Sequence, residues 1–150
     1  MRTVKLYHYT CRHSLDGIRE TGLVYPAVKM RVAKDLPRPL ERKFNMVGQL
    51  VWLTDLASIT GLNRNMIGLT MGTLVKCDRT EHRFEVIGED VPIFQWAELR
   101  VRWPVDIVTD LETLPGARPE HWFVSRGPVP VRYRPNHSDR TPPEPRAVAR

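Results

Sequence analysis

At 150 residues, 41% hydrophobic and 27% charged, the chain has the size and balance of one globular domain that buries its own core without staples. No apolar run approaches the roughly 20 residues of a membrane span, and the opening MRTVKLYHYT alternates apolar with polar residues where a signal peptide would be continuously apolar, so the cytoplasm is the expected compartment. Two cysteines, Cys11 and Cys77, fit a reducing environment and no disulfide framework, while a net charge of +6 favours anionic partners, nucleic acid or a phosphate-bearing small molecule. Arginines outnumber lysines 18 to 5, and seven of them lie between Arg118 and Arg150, so basicity alone does not decide for nucleic acid.

Residues 3–10 alternate, with Val4, Leu6 and His8 facing one way and Lys5, Tyr7 and Tyr9 the other, which predicts a strand. A short helix is expected over residues 14–20, with Ser14 as N-cap, Leu15 and Ile18 on its inner face and Gly22 closing it before the exit through Leu23, Val24, Tyr25 and Pro26. Residues 29–43 are basic, carry two prolines and show no clean periodicity. They read as a surface loop or, functionally, as a lid or substrate-reading loop. The apolar run 50–53 is long enough for a buried strand and too short for an ordinary helix. At its end Thr54 and Asp55 either cap a helix over residues 58–65 or present polar groups to a pocket.

Further on, residues 73–76 and 82–87 read as a strand pair and 88–90 as a turn. Residues 94–103 read as a half-buried strand, because Leu99, Val101 and Trp103 alternate with Arg100 and Arg102. One helical turn is expected over 109–114 before Pro115 and Gly116 break it. Residues 121–124 and 129–133 complete the strands, and Pro130 points to an edge position for the last. Beyond Arg134 the tail is polar and proline-rich and is expected to be disordered, which sets a single domain at 1–134 and a tail at 135–150. The sum is an α+β fold: a split, mostly antiparallel sheet with two or three short helices.

Several common constellations are absent from the sequence. The glycines never fall as Gly-x-Gly, so neither a dinucleotide fingerprint nor a phosphate loop is available, and no Gly-x-Ser-x-Gly elbow or His-Glu-x-x-His helix occurs. Cys11, His13, Cys77 and His82 are zinc-competent but match no usual zinc spacing, and no metal is expected. Nothing in the sequence sets a histidine beside either cysteine to make it a nucleophile.

Three stretches carry chemistry together: His8-Tyr9-Thr10 where a strand turns into a helix, residues 48–55 where an apolar strand ends in Thr54 and Asp55, and Glu120 leading into the apolar run 121–124. In order and spacing they resemble the ADP-ribosyltransferase fold, in the branch marked by His, Tyr and Glu on three strands. That branch includes poly(ADP-ribose) polymerases, diphtheria-type toxins, DNA-modifying ADP-ribosyltransferase toxins, rifampicin-modifying enzymes and tRNA 2′-phosphotransferases. The resemblance spans most of residues 3–133, with Gly22 and Pro26 matching the exit after the first motif. It departs at Trp52, which stands where the signature tyrosine would be.

The resemblance implies an NAD-dependent ADP-ribosyltransferase, with NAD as substrate, that breaks the nicotinamide–ribose bond through a transition state with positive charge on the ribose. His8 would bond a ribose hydroxyl, and Thr10 would help to fix the dinucleotide. Trp52, helped by Tyr9, would stack on nicotinamide. Glu120 would bond the ribose 2′-hydroxyl and stabilise the cation, with Glu98 as the alternative carboxylate. Arg12 would meet the pyrophosphate, and Thr54 completes the implied dinucleotide contacts. The acceptor stays open among nucleic acid, a phosphorylated or other small molecule, and protein; a monomer with no membrane contact is expected. Two other classes fit the same residues: a basic α+β module that binds nucleic acid or a protein, with Trp52, Trp96, Trp103 and Trp122 filling its core, and a transferase-fold protein that binds NAD or ADP-ribose without turnover.

Overall fold

The computed structural model describes residues 4–26, 38–58, 81–114 and 116–135. In chain order the elements are β1 (Tyr7–Thr10), α1 (Leu15–Thr21), β2 (Leu23–Val24), α2 (Arg38–Gly48), β3 (Val51–Thr54), β4 (His82–Val86), β5 (Phe94–Gln95), α3 (Trp96–Leu99), α4 (Val105–Glu112), β6 (Trp122–Ser125) and β7 (Val129–Tyr133). Short 3-10 turns at Arg12–Ser14, Arg100–Arg102 and Pro119–His121 join them. The fold is α+β. The strands form one sheet in the order β2-β7-β4-β1-β3-β6-β5, and each neighbouring pair is antiparallel.

Period-two alternation makes this sheet a partition between two cores. Tyr7 and Tyr9 of β1, Trp52 of β3 and Trp122 and Val124 of β6 pack with Val47, Trp96, Leu99, Ile107, Val108 and Leu111, so α2, α3 and α4 cover that side. Leu6, Val51, Leu53, Phe84, Val86, Val129 and Val131 face the other side, where Ile18 of α1 and Val24 cover them. The first core is aromatic. The ring of Trp52 lies 5.1 Å from that of Trp96, 5.9 Å from Trp122 and 6.4 Å from Trp103. Glu112 locks α3 to α4: one of its oxygens accepts both the Trp96 indole N–H and the Arg100 Nε–H at 2.7 Å.

Several sequence expectations change. Residues 94–103 are extended only over Phe94 and Gln95; α3 and a 3-10 turn follow. Burying Trp96 and Leu99, three apart, satisfies the apolar residues with a helical period and leaves Val101 73% exposed. Residues 38–43, expected as loop, form the first half of α2, whose proline falls in the first turn, where its missing N–H costs nothing. Gly48, expected to open a strand, closes this helix instead. Pro130 is not at an edge, because β7 lies between β2 and β4; Pro130 sits opposite Leu23 of the two-residue β2. In addition, the turn expected over 109–114 is the end of a longer helix that starts at Val105. The expected strand 73–76, nearly all of the expected helix 58–65, residues 29–37 and the tail beyond residue 135 lie outside the described residues.

Arg83 is the buried charge that this arrangement has to accommodate, at 0% exposure. It lies opposite Tyr9 in the β1–β4 register, and its guanidinium stands 4.7 Å over the Tyr7 ring. Its N–H groups donate to the backbone carbonyls of Ala57, Arg134 (2.8 Å) and Pro135 (3.3 Å). One side chain therefore ties the segment after β3 and the segment after β7 to the middle of the sheet. Replacing it leaves several carbonyls without that donor, each costing about 1–3 kcal/mol when buried. Arg83→Leu is expected to lower the unfolding free energy by about 3 kcal/mol, read as a lower urea midpoint with an unchanged slope; an unchanged midpoint would contradict the clamp.

Candidate functional site

The side of β1 opposite the tyrosines carries His8 and Thr10. Both line a cavity of about 490 Å³ that also takes in Ser14, Tyr25, Gly48 and Val51. That volume lies in the range of small-molecule sites. The wall facing β1 is α1, which the sequence ends sharply. Gly22 adopts φ +71°, a left-handed conformation that suits glycine, and its N–H caps the Ile18 carbonyl at 2.7 Å. The Gly22 carbonyl then accepts from Val131, which hangs the end of α1 on β7. Ser14 is the N-cap residue of α1, as expected, but makes no side-chain capping bond there, and it lines the cavity.

His8 is oriented by the backbone of the neighbouring strand. Its Nδ1 lies 2.9 Å from the Trp52 carbonyl oxygen. A carbonyl only accepts, so Nδ1 carries the proton in that contact, and in the neutral ring Nε2 is then the acceptor.

The other sequence-predicted residues are placed differently. The Trp52 ring belongs to the tryptophan cluster on the far side of the sheet; the residue is 3% exposed, and its indole N–H donates to the Val47 carbonyl at 2.9 Å. Tyr9 is fully buried on that same side and donates its hydroxyl to the Leu56 carbonyl at 2.7 Å. Trp52 lines the cavity but is almost wholly buried, and Tyr9 does not line it, so neither ring offers an open stacking face. Thr54 is buried, and its hydroxyl accepts the Leu56 N–H at 3.1 Å, shaping the turn after β3. Arg12 is exposed in the turn before α1 and does not line the cavity. Glu98 is exposed in α3 and borders a separate depression of about 120 Å³ with Phe94, Arg102 and Arg126, beside edge strand β5.

Glu120 lies in the 3-10 turn that leads into β6, exposed to solvent. Tyr7 faces Thr54 and Thr54 faces Trp122, so the carboxylate sits past the end of β3, whereas the cavity gathers residues from the start of β3. Around it is a chain of polar contacts that the sequence did not reveal. Arg118 Nε–H donates to Glu120 Oε2 at 2.9 Å, Arg118 Nη2 lies 3.1 Å from His121 Nε2, and His121 Nδ1 lies 2.7 Å from Asp55 Oδ1. Asp55 and His121 were each visible at a strand end, but only the β3–β6 register brings them together. The Arg118 hydrogen bond, helped by a backbone hydrogen bond at residue 120 and by the charges of Arg118 and His121, holds the Glu120 carboxyl below its ordinary range.

Among the described residues no cluster of His, Cys, Asp and Glu could hold a metal ion, and no helix is long and apolar enough to cross a membrane. Cys11 is buried, and Cys77 lies outside the described residues. Comparison with protein-family models, curated proteins and solved structures finds no match to this chain.

The lowered Glu120 pKa has a definite sign. The contribution of its pairing with Arg118 is present above the unfolded carboxyl's pKa and is lost as the pH falls through the lower folded value. Followed by NMR of its carboxyl carbon, Glu120 should titrate below an ordinary glutamate, and Arg118→Ala should move the midpoint upward. A midpoint that ignores Arg118→Ala would show that the pairing does not persist in solution.

Proposed function

We propose that the chain is an NAD-dependent ADP-ribosyltransferase that holds the dinucleotide against His8 and Thr10 and moves ADP-ribose to an acceptor, with nucleic acid or a phosphorylated molecule favoured by the basic composition. The observation that carries this reading is the pairing of His8 and Thr10 on one side of β1, at the wall of a cavity of about 490 Å³. The order His-x-Thr, strand, helix and glycine agrees with the resemblance drawn from the sequence.

In this reading His8 Nε2 accepts a ribose hydroxyl and the Thr10 hydroxyl adds a second contact. The bond from ribose C1 to the nicotinamide nitrogen breaks, nicotinamide leaves with the bonding electrons, and C1 joins the acceptor's nucleophilic atom, whose proton passes to a base. Glu120 supplies the negative charge that stabilises the ribose cation and the base that takes the proton. Its lowered pKa keeps it ionised for both tasks near neutrality. Tyr7 opposite Thr54 puts His8 beside Leu53, which faces Phe123. Glu120 is three residues from that level, across the start of β6 and the 3-10 turn before it, so the ligand has to extend from the cavity along the strands toward that turn.

A second reading, binding of NAD or ADP-ribose without turnover, is favoured by one observation: the Glu120 carboxylate is exposed, paired with Arg118 and outside the cavity lining. Nicotinamide release from NAD separates the two. The transferase reading expects release by the wild type and a loss of turnover on the order of 100-fold or more in Glu120→Gln with little change in NAD affinity. His8→Ala is expected to weaken NAD binding. Binding without release, and no difference in Glu120→Gln, would establish the non-catalytic reading. A chain that ignores NAD but shifts DNA or RNA with a salt-dependent affinity unaffected by His8→Ala would be a nucleic-acid module instead.

A further inference from the structure

Trp52 lines the cavity but is 3% exposed and packed in the aromatic core, and Tyr9 is fully buried there, so neither offers a ligand the open ring that the sequence assigned to them. The cavity nevertheless has an aromatic wall. Tyr25, directly after β2, lines it and is 57% exposed, while His8 lines it from β1. We propose that Tyr25 is the stacking residue of this site and takes the planar heterocycle of a nucleotide whose ribose is held by His8. The proposal rests on the reading of the cavity as a nucleotide site.

Three features support it. First, the backbone beneath Tyr25 is anchored: Leu23 and Val24 pair with Pro130 and Val129, and Val24 is buried in the second core. A ring carried on an anchored strand loses little freedom when a ligand lands on it. Second, the exposure is unusual for its surroundings. The other three tyrosines, Tyr7, Tyr9 and Tyr133, are buried or half-buried and each is engaged: Tyr7 by Arg83, Tyr9 by Leu56, and Tyr133 by His82, Phe84 and Arg19. Tyr25 lines the cavity and is left exposed. Third, the lining is chemically matched to a nucleoside. Apolar residues such as Ile18, Leu50 and Val51 can pack against a base, while the His8 and Thr10 polar atoms suit a sugar.

Stacking of a base on an aromatic side chain contributes about 1–3 kcal/mol, and 1.4 kcal/mol is a factor of ten in affinity. Isothermal titration calorimetry of the full chain with NAD, and separately with ADP-ribose, reads this directly. Tyr25→Ala is expected to weaken binding about tenfold or more, and Tyr25→Phe, which keeps the ring, is expected to restore it to within about threefold of the wild type. A loss seen with NAD and not with ADP-ribose would put nicotinamide on Tyr25; a loss with both would put adenine there. If Tyr25→Ala binds both ligands as the wild type does while His8→Ala does not, the stacking assignment is wrong and the nucleotide site stands. If the wild type binds neither ligand, the assignment and the site both fall. Circular dichroism and thermal melting of Tyr25→Ala, expected to match the wild type, guard against a folding defect.

Discussion

In an extended strand one residue separates opposite faces, and on β1 this geometric rule decides what each side chain can do. Tyr7 and Tyr9 go to the aromatic core, and the residues between and after them, His8 and Thr10, are left to the cavity. The strand has no freedom to rotate, because β3 and β4 hold it from both sides in register. Slipping it by one position would bury the imidazole among tryptophans and expose two tyrosines. The tryptophan cluster, the Arg83 clamp and the cavity are thus consequences of a single choice of register.

That rule was legible in the sequence wherever alternation was clean. The faces of β1, the apolar run of β3, and the strands β4 and β7 all follow from it. It failed over residues 94–103, where apolar residues at 96, 99, 101 and 103 satisfy a strand pattern and a helical one equally; only the space beside α4, closed by Glu112, favours the helix. It was overruled at α2 because prolines in a basic segment suggest a loop, although a proline in the first turn of a helix is harmless.

The site was legible in part. His8 and Thr10 could be proposed from one strand and the turn after it. Placing Tyr9 and Trp52 beside them followed the resemblance and set aside the alternation, which sends Tyr9 to the side opposite His8. Tyr25 could not be found locally, since its place on the cavity wall depends on β2 pairing with a strand more than a hundred residues later. The basic charge was readable as a total but not as a pattern. Arg42, Lys43, Arg100, Arg118 and Arg134 are each engaged by a carboxylate, whereas Arg102 and Arg126 form no ion pair with a described residue and share one depression beside β5. The field an anionic acceptor would meet is therefore set by where the unpaired guanidinium groups fall, and less by net charge. Exposed pairs of this kind add little to stability.

All four indoles of the chain stand within one cluster, and one of them, Trp52, also lines the cavity. Light absorbed by any of them is passed among neighbours a few ångströms apart, so intrinsic fluorescence is a single collective signal from an apolar environment. It reports whether that cluster is intact and, because Trp52 also borders the cavity and its carbonyl meets His8 Nδ1, an occupied cavity and a loosened interior would both alter it.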